Sequence, residues 1–395
     1  MKLEMTSDSG RVFDVEYNSP IETEYAISCI IPTYRAEKTM RQALESLLAQ
    51  SMEDELEIVI VDDASDDNCP RIADGYAMLH PEVTLVSHLE NAGYGASMND
   101  GIQAARGRWI AILEPDDYLL PGMYKALLQA AEDAGGADIV KSPYIREVRD
   151  EGVERGDKPR DLLQCSYKGR IHPATSPFTM SDENAVHLLR HHPSIWSAIY
   201  SADFLASRSI RFVEYPGAGW ADNEFFYSTL LQAERIVYVD RAYYVYREET
   251  DGEFKSFTRK NPHLAFNRWH SMKDIIKDLG ITDEGVLRSH ISKGFTYLGG
   301  VVDTLGIENA VVAAEAPLMF SRMEPDLVDK EELINPSMKK MYADMTGSDI
   351  DMMAARTAHV KNLVGETAYT MKNNGPGFTA RQIGRYASAM LRRAK

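Results

Sequence analysis

The chain has 395 residues, of which 44% are hydrophobic and 26% charged, so it is long enough for two packed domains. A formal net charge of −17 excludes the broad basic surface that nucleic-acid binding needs to displace counterions. Cys29, Cys69 and Cys165 are odd in number, widely spaced and without a CxxC pair, which excludes a disulfide framework or a cysteine zinc site and suggests a reducing, cytoplasmic compartment.

The first 25 residues contain no apolar segment of the kind a secretory leader requires, and their role is not readable from the sequence. From residue 26 the pattern alternates. "AISCII" (26–31) reads as a buried strand, followed by a helix with Met40, Ala43, Leu44, Leu47 and Leu48 on one face. "LEIVIV" (56–61) is apolar on both faces, as a strand inside a parallel sheet must be. A helix around Ile72, Tyr76 and Leu79 precedes the short strand "VTLV" (83–86); a helix through Met98 and Ile102 precedes "WIAIL" (109–113). "MYKALLQAA" is helical, and "ADIVK" (137–141) is a further strand. This order predicts an α/β, Rossmann-like, doubly wound and mostly parallel sheet.

The rhythm breaks at 145–180, where "REVRDEGVERGDKPRD" suggests a charged loop or irregular hairpin. Regular structure resumes at 194–205, with a helix over 223–233 and strands at "RIVYVD" and "AYYVYR". Beyond 261 strand signals cease, and helical periodicity covers 262–278, 283–298, 308–322, 348–364 and 378–394. The expected organisation is an N-terminal extension (1–25), an α/β domain (26–258) and a helical C-terminal domain (259–395). No apolar run approaches the roughly 18 residues of a membrane helix.

Ligands of open parallel sheets bind beyond the carboxyl ends of the strands, where strand order reverses. Three strands here end in polar clusters: "IIPTYRAE", "VIVDDASDD" and "AILEPDD". The first turn lacks the glycines of a dinucleotide fingerprint, "GYGASM" (93–98) fails it at Met98, and there is no phosphate-binding GxxxxGK[ST] loop. A carboxylate at a strand end can accept from a nucleotide ring N–H or ribose hydroxyls, and Asp62 and Asp63 stand there. A second acidic cluster could face a diphosphate only through a hard divalent cation such as Mg2+ or Mn2+. On local sequence alone, Glu114, Asp116 and Asp117 read equally well as a solvated turn.

The segments "SCIIPTYRAEKTMRQALESLLAQS", "EIVIVDDASDD", "NAGYGASMNDGIQAARGRWIAILEPDD" and "WADNEFFYSTLLQAERIVYVDRAYYVYR" together resemble family 2 glycosyltransferases of the GT-A fold. The likeness covers roughly residues 26 to 250 and is nearest to the bacterial enzymes that assemble surface polysaccharides. It implies inverting transfer of a sugar from a nucleotide-sugar, UDP-linked by family habit, to an acceptor hydroxyl. It implies that Pro32, Thr33 and Tyr34 frame the nucleotide with Glu37 close by, and that Asp62 and Asp63 hold the base. "EPDD" stands at the family's Asp-x-Asp, so Asp116 becomes the Mn2+ or Mg2+ ligand, with Glu114 near the ribose or behind the metal. Gly93, Gly95 and Asn99 match the loop and helix under the sugar, and Met98 replaces the arginine many relatives carry. Asp222 matches the general base, with Ala221 in place of the usual acidic neighbour. Trp196 and Trp220 are expected against the acceptor, and Arg247 against a phosphate or a loop.

The alternative is a nucleotide-sugar-binding subunit without catalysis, with Met98, Glu114 and Ala221 as marks of decay. The last helix is basic and amphipathic over 376–395, which suggests peripheral contact with anionic lipid at the inner face of the membrane, or docking on an acidic surface or on a second copy in a homo-oligomer. A glycan or lipid-linked glycan is the expected acceptor.

Overall fold

The computed structural model describes residues 1–52, 55–148, 161–248 and 251–393; the side chains of 251–254 and 385–393 are outside that description. Much of the charged segment 145–160 and Lys395 therefore lie outside the described residues, as do the side chains of Arg385, Tyr386, Met390, Arg392 and Arg393, on which the amphipathic reading of the last helix rests.

The strands, in chain order, are β1 (Lys2–Thr6), β2 (Val12–Tyr17), β3 (Tyr25–Thr33), β4 (Leu56–Asp62), β5 (Val83–His88), β6 (Gly107–Ile112), β7 (Tyr118–Leu119), β8 (Ile139–Lys141), β9 (Tyr144–Val148), β10 (Asp161–Gln164), β11 (Ala198–Ser201), β12 (Ile236–Tyr238) and β13 (Tyr244–Arg247). A nine-stranded sheet has the order β1-β2-β5-β4-β3-β6-β11-β8-β12. Its centre is parallel: β3 pairs with β4 and β6, and β4 with β5. Every residue of β3 and β4 is buried, the two-sided burial that their continuous apolar runs require. Strand β11 inserts antiparallel between β6 and β8.

Residues 1–25 are part of this sheet. The β1–β2 hairpin adds antiparallel to β5, pairing Phe13 with His88 and Val15 with Val86. Sequence periodicity alone could not assign it, because its partner strand lies some 70 residues further on.

The sheet is flanked by α1 (Met40–Leu48), α2 (Cys69–Leu79), α3 (Tyr94–Ala104) and α4 (Met123–Asp133), with α5 (Ala202–Ser207) and α6 (Asp222–Gln232) following β11. Met40, Ala43, Leu44 and Leu47 are the buried stripe of α1. Helix α2 buries Cys69, Ile72, Ala73 and Tyr76, whereas Leu79, expected on that face, is 77% exposed at the helix end. Helix α3 lies close on the sheet: a Cβ at Gly101 would stand 2.6 Å from Ile30 Cγ2 and 3.0 Å from Val61 Cγ2.

The chain divides into two compact units, one comprising Met1–Ile145, Cys165–Arg247 and Ser271–Ile281, the other Arg146–Gln164, Glu248–His270 and Thr282–Lys395. Helices account for most of the second: α7 (Asp251–Lys260), α8 (Leu264–Asp278, its first half), α9 (Glu284–Leu305), α10 (Ala310–Phe320), α11 (Pro325–Lys330), α12 (Pro336–Thr346) and α13 (Met352–Arg393). Its core holds Trp269, stacked on His290 at 4.6 Å and donating to the His290 carbonyl at 3.0 Å, and the aromatic contacts of Phe295, Phe320 and Tyr342. Asp283, Asn309 and Asn335 cap α9, α10 and α12 through their side chains. Helix α13 is two helices joined at Gly375, whose φ of 81° breaks the helical path. Among the described residues no helix is long and apolar enough to cross a membrane.

Candidate active site

From β3 the chain moves outward through β4 to β5, then returns to place β6 on the other side of β3. Strand order therefore reverses between β3 and β6, and in open sheets the ligand crevice lies beyond the carboxyl ends of such strands. Thr33 and Asp62 lie in register at that edge, and Leu113 bonds to the Ile30 carbonyl as β6 runs out into Glu114.

Two loops are stitched together beside it. After Pro32 and Thr33, both buried in β3, Arg35 turns with φ 53° and grips Asp66 through two 2.7 Å bonds. Glu37 accepts from Asn68 Nδ2 at 2.7 Å and Asn68 N at 3.2 Å, and its own N–H donates to Asp67. The Glu37 carboxylate thus braces the loop. The Tyr34 ring is 42% exposed, with the Arg35 guanidinium 5.0 Å from its centre.

Asp62 and Asp63 face different surroundings, as successive residues at a strand end must. Asp62 accepts from Ser65 N–H at 3.3 Å through Oδ2; its Oδ1 is buried with no hydrogen-bond partner, and burial pushes its pKa up. Asp63, expected to hold the nucleotide base, instead has both oxygens occupied. Oδ1 accepts from Ala92 N–H at 2.7 Å and meets His88 Nδ1 at 2.7 Å, while Oδ2 accepts from Gly93 N–H at 2.9 Å. Although burial opposes it, these bonds hold Asp63 below the ordinary carboxylate range.

Gly93, with φ 91°, and Gly95 serve close packing. A Cβ on Gly93 would lie 2.5 Å from the Tyr215 carbonyl oxygen, and one on Gly95 2.2 Å from that of Val213. Asn99 clamps the same segment, donating to the Phe212 carbonyl at 3.0 Å and to Glu214 at 3.1 Å while accepting from Phe212 N–H at 2.9 Å. These three matched positions hold residues 212–217, the approach to α6.

The acidic bend separates into three roles. Asp117 is buried and structural, accepting from Tyr244 O–H at 2.8 Å and Arg247 N–H at 2.7 Å across the β7–β13 pair. Glu114 accepts from Tyr94 O–H at 2.7 Å; burial chiefly, opposed by that bond and reinforced by Asp116 and Asp222, pushes it up to about 8. Asp116 reaches solvent at the mouth of the crevice, yet the surrounding protein still desolvates it enough to raise its pKa. Arg247 bonds the Asp116 carbonyl at 2.6 Å and Gln42, with its guanidinium 5.2 Å from the Tyr118 ring centre. It orders the bend.

Asp222 opens α6 and is half-buried, and its charge raises the pKa of Glu114, Tyr94 and Glu224. Trp220 precedes it with φ 54°, a left-handed conformation unusual for a bulky residue. Trp196, expected against the acceptor, is only 5% exposed, stacked on Tyr244 at 4.0 Å and packed edge-on against Tyr144. Sequence reasoning passed over Tyr94, inside the inspected "GYGASM" stretch, and Glu224, two residues after Asp222. Tyr215 O–H donates to the Glu224 carboxylate at 3.2 Å, and burial pushes this acid up to about 8.

Among the described residues there is no group of three or more His, Cys, Asp and Glu side chains that could hold a metal. With Glu114 and Asp117 occupied by tyrosines, a cation here would take Asp116 and find its other ligands on a bound phosphate or in water.

Residues 28–187 match the family described as Glycosyl transferase family 2. The chain is 30% identical over 228 residues to the uncharacterized glycosyltransferase EpsJ of Bacillus subtilis, covering 56% of this chain and 61% of that protein. It is 29% identical over 188 residues to the succinoglycan biosynthesis protein ExoO of Rhizobium meliloti, covering 48% and 51% respectively. The chain thus spans less than two thirds of either relative. The structure resembles that of S. aureus TarS 1-349, with a TM-score of 0.61, 19% identity, and coverage of 86% of this chain and 91% of that one; TarS has also been crystallised with UDP and with UDP-GlcNAc. Over residues 28–187 the chain is therefore similar in sequence to glycosyl transferase family 2, and its fold is of the GT-A type seen in TarS.

Proposed function

We propose that the protein is an inverting glycosyltransferase that moves a sugar from a nucleotide-sugar, UDP-linked in first place, to a hydroxyl of a glycan or lipid-linked glycan under assembly for the cell surface. What supports this reading is Glu114 at the end of β6, close enough to Asp116 and to Asp222 at a helix start to feel both charges, next to the strand that carries Thr33 and, beyond it, the unpaired buried oxygen of Asp62. The names of ExoO and of the TarS complexes favour a surface glycan and a uridine nucleotide.

In this reading Asp62 accepts from the nucleotide, Tyr34 lies against its ring, and Thr33 closes the strand edge beneath it. Asp63, Gly93 and Asn99 shape the loop walls rather than touch the base. Asp222 accepts the proton of the acceptor hydroxyl as its oxygen bonds to the anomeric carbon; the carbon–oxygen bond to the diphosphate breaks and its electron pair leaves with the phosphate. One displacement inverts the configuration. Mg2+ or Mn2+, held by Asp116 and the donor phosphates, would neutralise the charge on the leaving group. Trp220 flanks the base and presents a ring to an acceptor. The three buried free thiols fit a reducing, cytoplasmic setting.

Two variants test this. Asp222→Asn should abolish transfer yet leave nucleotide-sugar affinity within about twofold, because the base acts on the acceptor in the transition state. Asp116→Ala should weaken nucleotide binding in Mn2+ by about tenfold or more, the loss expected for a charge-assisted contact. Full turnover by Asp222→Asn removes the base assignment. Nucleotide binding without transfer or donor hydrolysis by the native protein would instead favour the non-catalytic subunit.

A further inference from the structure

Behind the site a line of charged groups runs from the β4 edge to the N-terminal hairpin. Asp63, whose oxygens hold the Ala92 and Gly93 amides, meets His88 Nδ1 at 2.7 Å. The other ring nitrogen of His88 stands 3.0 Å from Asp100 Oδ2 on α3, an ion-pair distance without the alignment of a hydrogen bond. That same oxygen accepts from Arg11 Nε at 2.8 Å, and Arg11 reaches Glu214 at 3.1 Å with a second nitrogen. Glu214 in turn accepts from Asn99, which clamps Phe212. His88, Asp63 and Asp100 are 6%, 3% and 0% exposed, and Asp100 Oδ1 has no hydrogen-bond partner.

We infer that Arg11 and His88 are positioning residues that couple the donor-side loop at Asn91–Gly93 to the segment Phe212–Gly217 that delivers Asp222. Arg11 comes from the hairpin that lies outside the matched family domain, which gives the first 17 residues a part in the site. The coupling itself rests on geometry; only its kinetic consequence rests on the glycosyltransferase reading.

The physical case is one of charge. Two buried carboxylates face His88, from the end of β4 and from α3, and the Phe13 ring covers its edge at 6.2 Å between centroids. Burial disfavours the imidazolium, but the two carboxylates prevail and push His88 up to about 9. A neutral ring would leave Asp100 to Arg11 and Asp63 to the two loop amides. Because Arg11 shares Asp100, loss of its charge reaches Asp63 through one ring, and from there the two loop amides. Arg11 suits the post because its fork meets Asp100 and Glu214 together, which a lysine ammonium cannot match.

Hydrogen exchange on the ligand-free full chain, with the Arg11→Gln variant beside the native protein, tests the coupling. Arg11→Gln should speed exchange at Ala92, Gly93 and Tyr94 by about tenfold, although Arg11 touches none of them, in step with 212–217. Glu214→Gln, at the exposed end of the line, should do the same by about threefold and covers the case in which Arg11→Gln does not fold. In turnover, Arg11→Gln should raise the donor KM more than it lowers kcat, and shift the alkaline limb of the pH profile upward, since a positive neighbour of the imidazolium has gone. Native exchange rates at 92–94 in both variants would overturn the inference. Failure of the native protein to use any nucleotide-sugar would overturn the functional reading and leave the exchange result standing.

Discussion

Gly95→Ala sets the packing of α3 against the approach to Asp222 at its most exacting point. The new Cβ would stand 2.2 Å from the Val213 carbonyl oxygen, 3.0 Å from its carbon and 3.2 Å from Glu214 Cα, where ordinary contact begins at 3.4 Å. All three neighbours are backbone, so no side chain can swing aside. Relief requires α3 and residues 213–214 to part by about 1 Å, while the Asn99 bonds to Phe212 and the Tyr94 N–H bond to the Gly217 carbonyl at 2.9 Å resist it. Overpacking of this kind costs about 1–3 kcal/mol, and stretching two hydrogen bonds adds about 1 kcal/mol. The expected destabilisation is about 2–4 kcal/mol, seen as a Tm lowered by roughly 4–12 °C. If Asp222 is the base proposed above, displacing it by about 1 Å lowers turnover on the order of a hundredfold, and kcat/KM should fall far more than the folded fraction does. Scanning calorimetry and steady-state transfer kinetics at a temperature where the variant is folded separate the two effects. A native Tm would refute the packing argument; a lowered Tm with native kcat/KM would show that residues 212–217 do not position Asp222.

Further outcomes follow from burial and charge. His88, at about 9 against an ordinary 6.5, contributes stability that is fully present below pH 6.5 and is lost as pH rises through 9. The urea midpoint of the native protein should therefore fall between pH 7 and 9.5 by the equivalent of up to about 3 kcal/mol, and His88→Gln should flatten that slope; parallel pH profiles for the two proteins would remove the imidazolium. Trp196→Ala should cost about 3–5 kcal/mol, as a buried aromatic removed from its stack on Tyr244 does, without changing the acceptor KM of the folded protein; an acceptor KM raised tenfold at native stability would restore Trp196 to the cleft.

The parallel core was legible because burial on both faces writes itself as a largely apolar run, and β3 and β4, broken only by the buried Ser28 and Glu57, needed little else to be recognised. The hairpin at residues 2–17 and the antiparallel insertion of β11 were not, since neither depends on local pattern: each finds its place through partners far off in the chain. Helices α11 and α12 also went unread, being short and lying where their periodicity is weak. The site shows the same division. Sequence located the Asp62–Asp63 pair, but adjacent side chains at a strand end diverge, and only the loop at 92–93 reveals that Asp63 is the one consumed. Trp196 and Trp220 looked alike as acceptor platforms until burial parted them.

What the motif residues do in this chain sharpens the case for a ligand. Asp63, Gly93, Gly95, Asn99 and Asp117 are absorbed by the scaffold, each matched to a backbone or side-chain partner. Asp62, Glu114 and Glu224 are raised by burial, as Asp117 is too, although Glu114 and Glu224 each accept from a tyrosine; Asp116 is raised as well while it reaches solvent. A fold gains nothing for its own stability by holding acids in that state, since apolar groups of similar shape would cost less. Such a cluster is complementary to what it lacks: ring N–H groups, sugar hydroxyls and a cation that can sit between carboxylate and phosphate. In the proposed reading those are the parts of a nucleotide-sugar with its metal, and Asp222, close enough to raise Glu114, would be the acid left facing the acceptor.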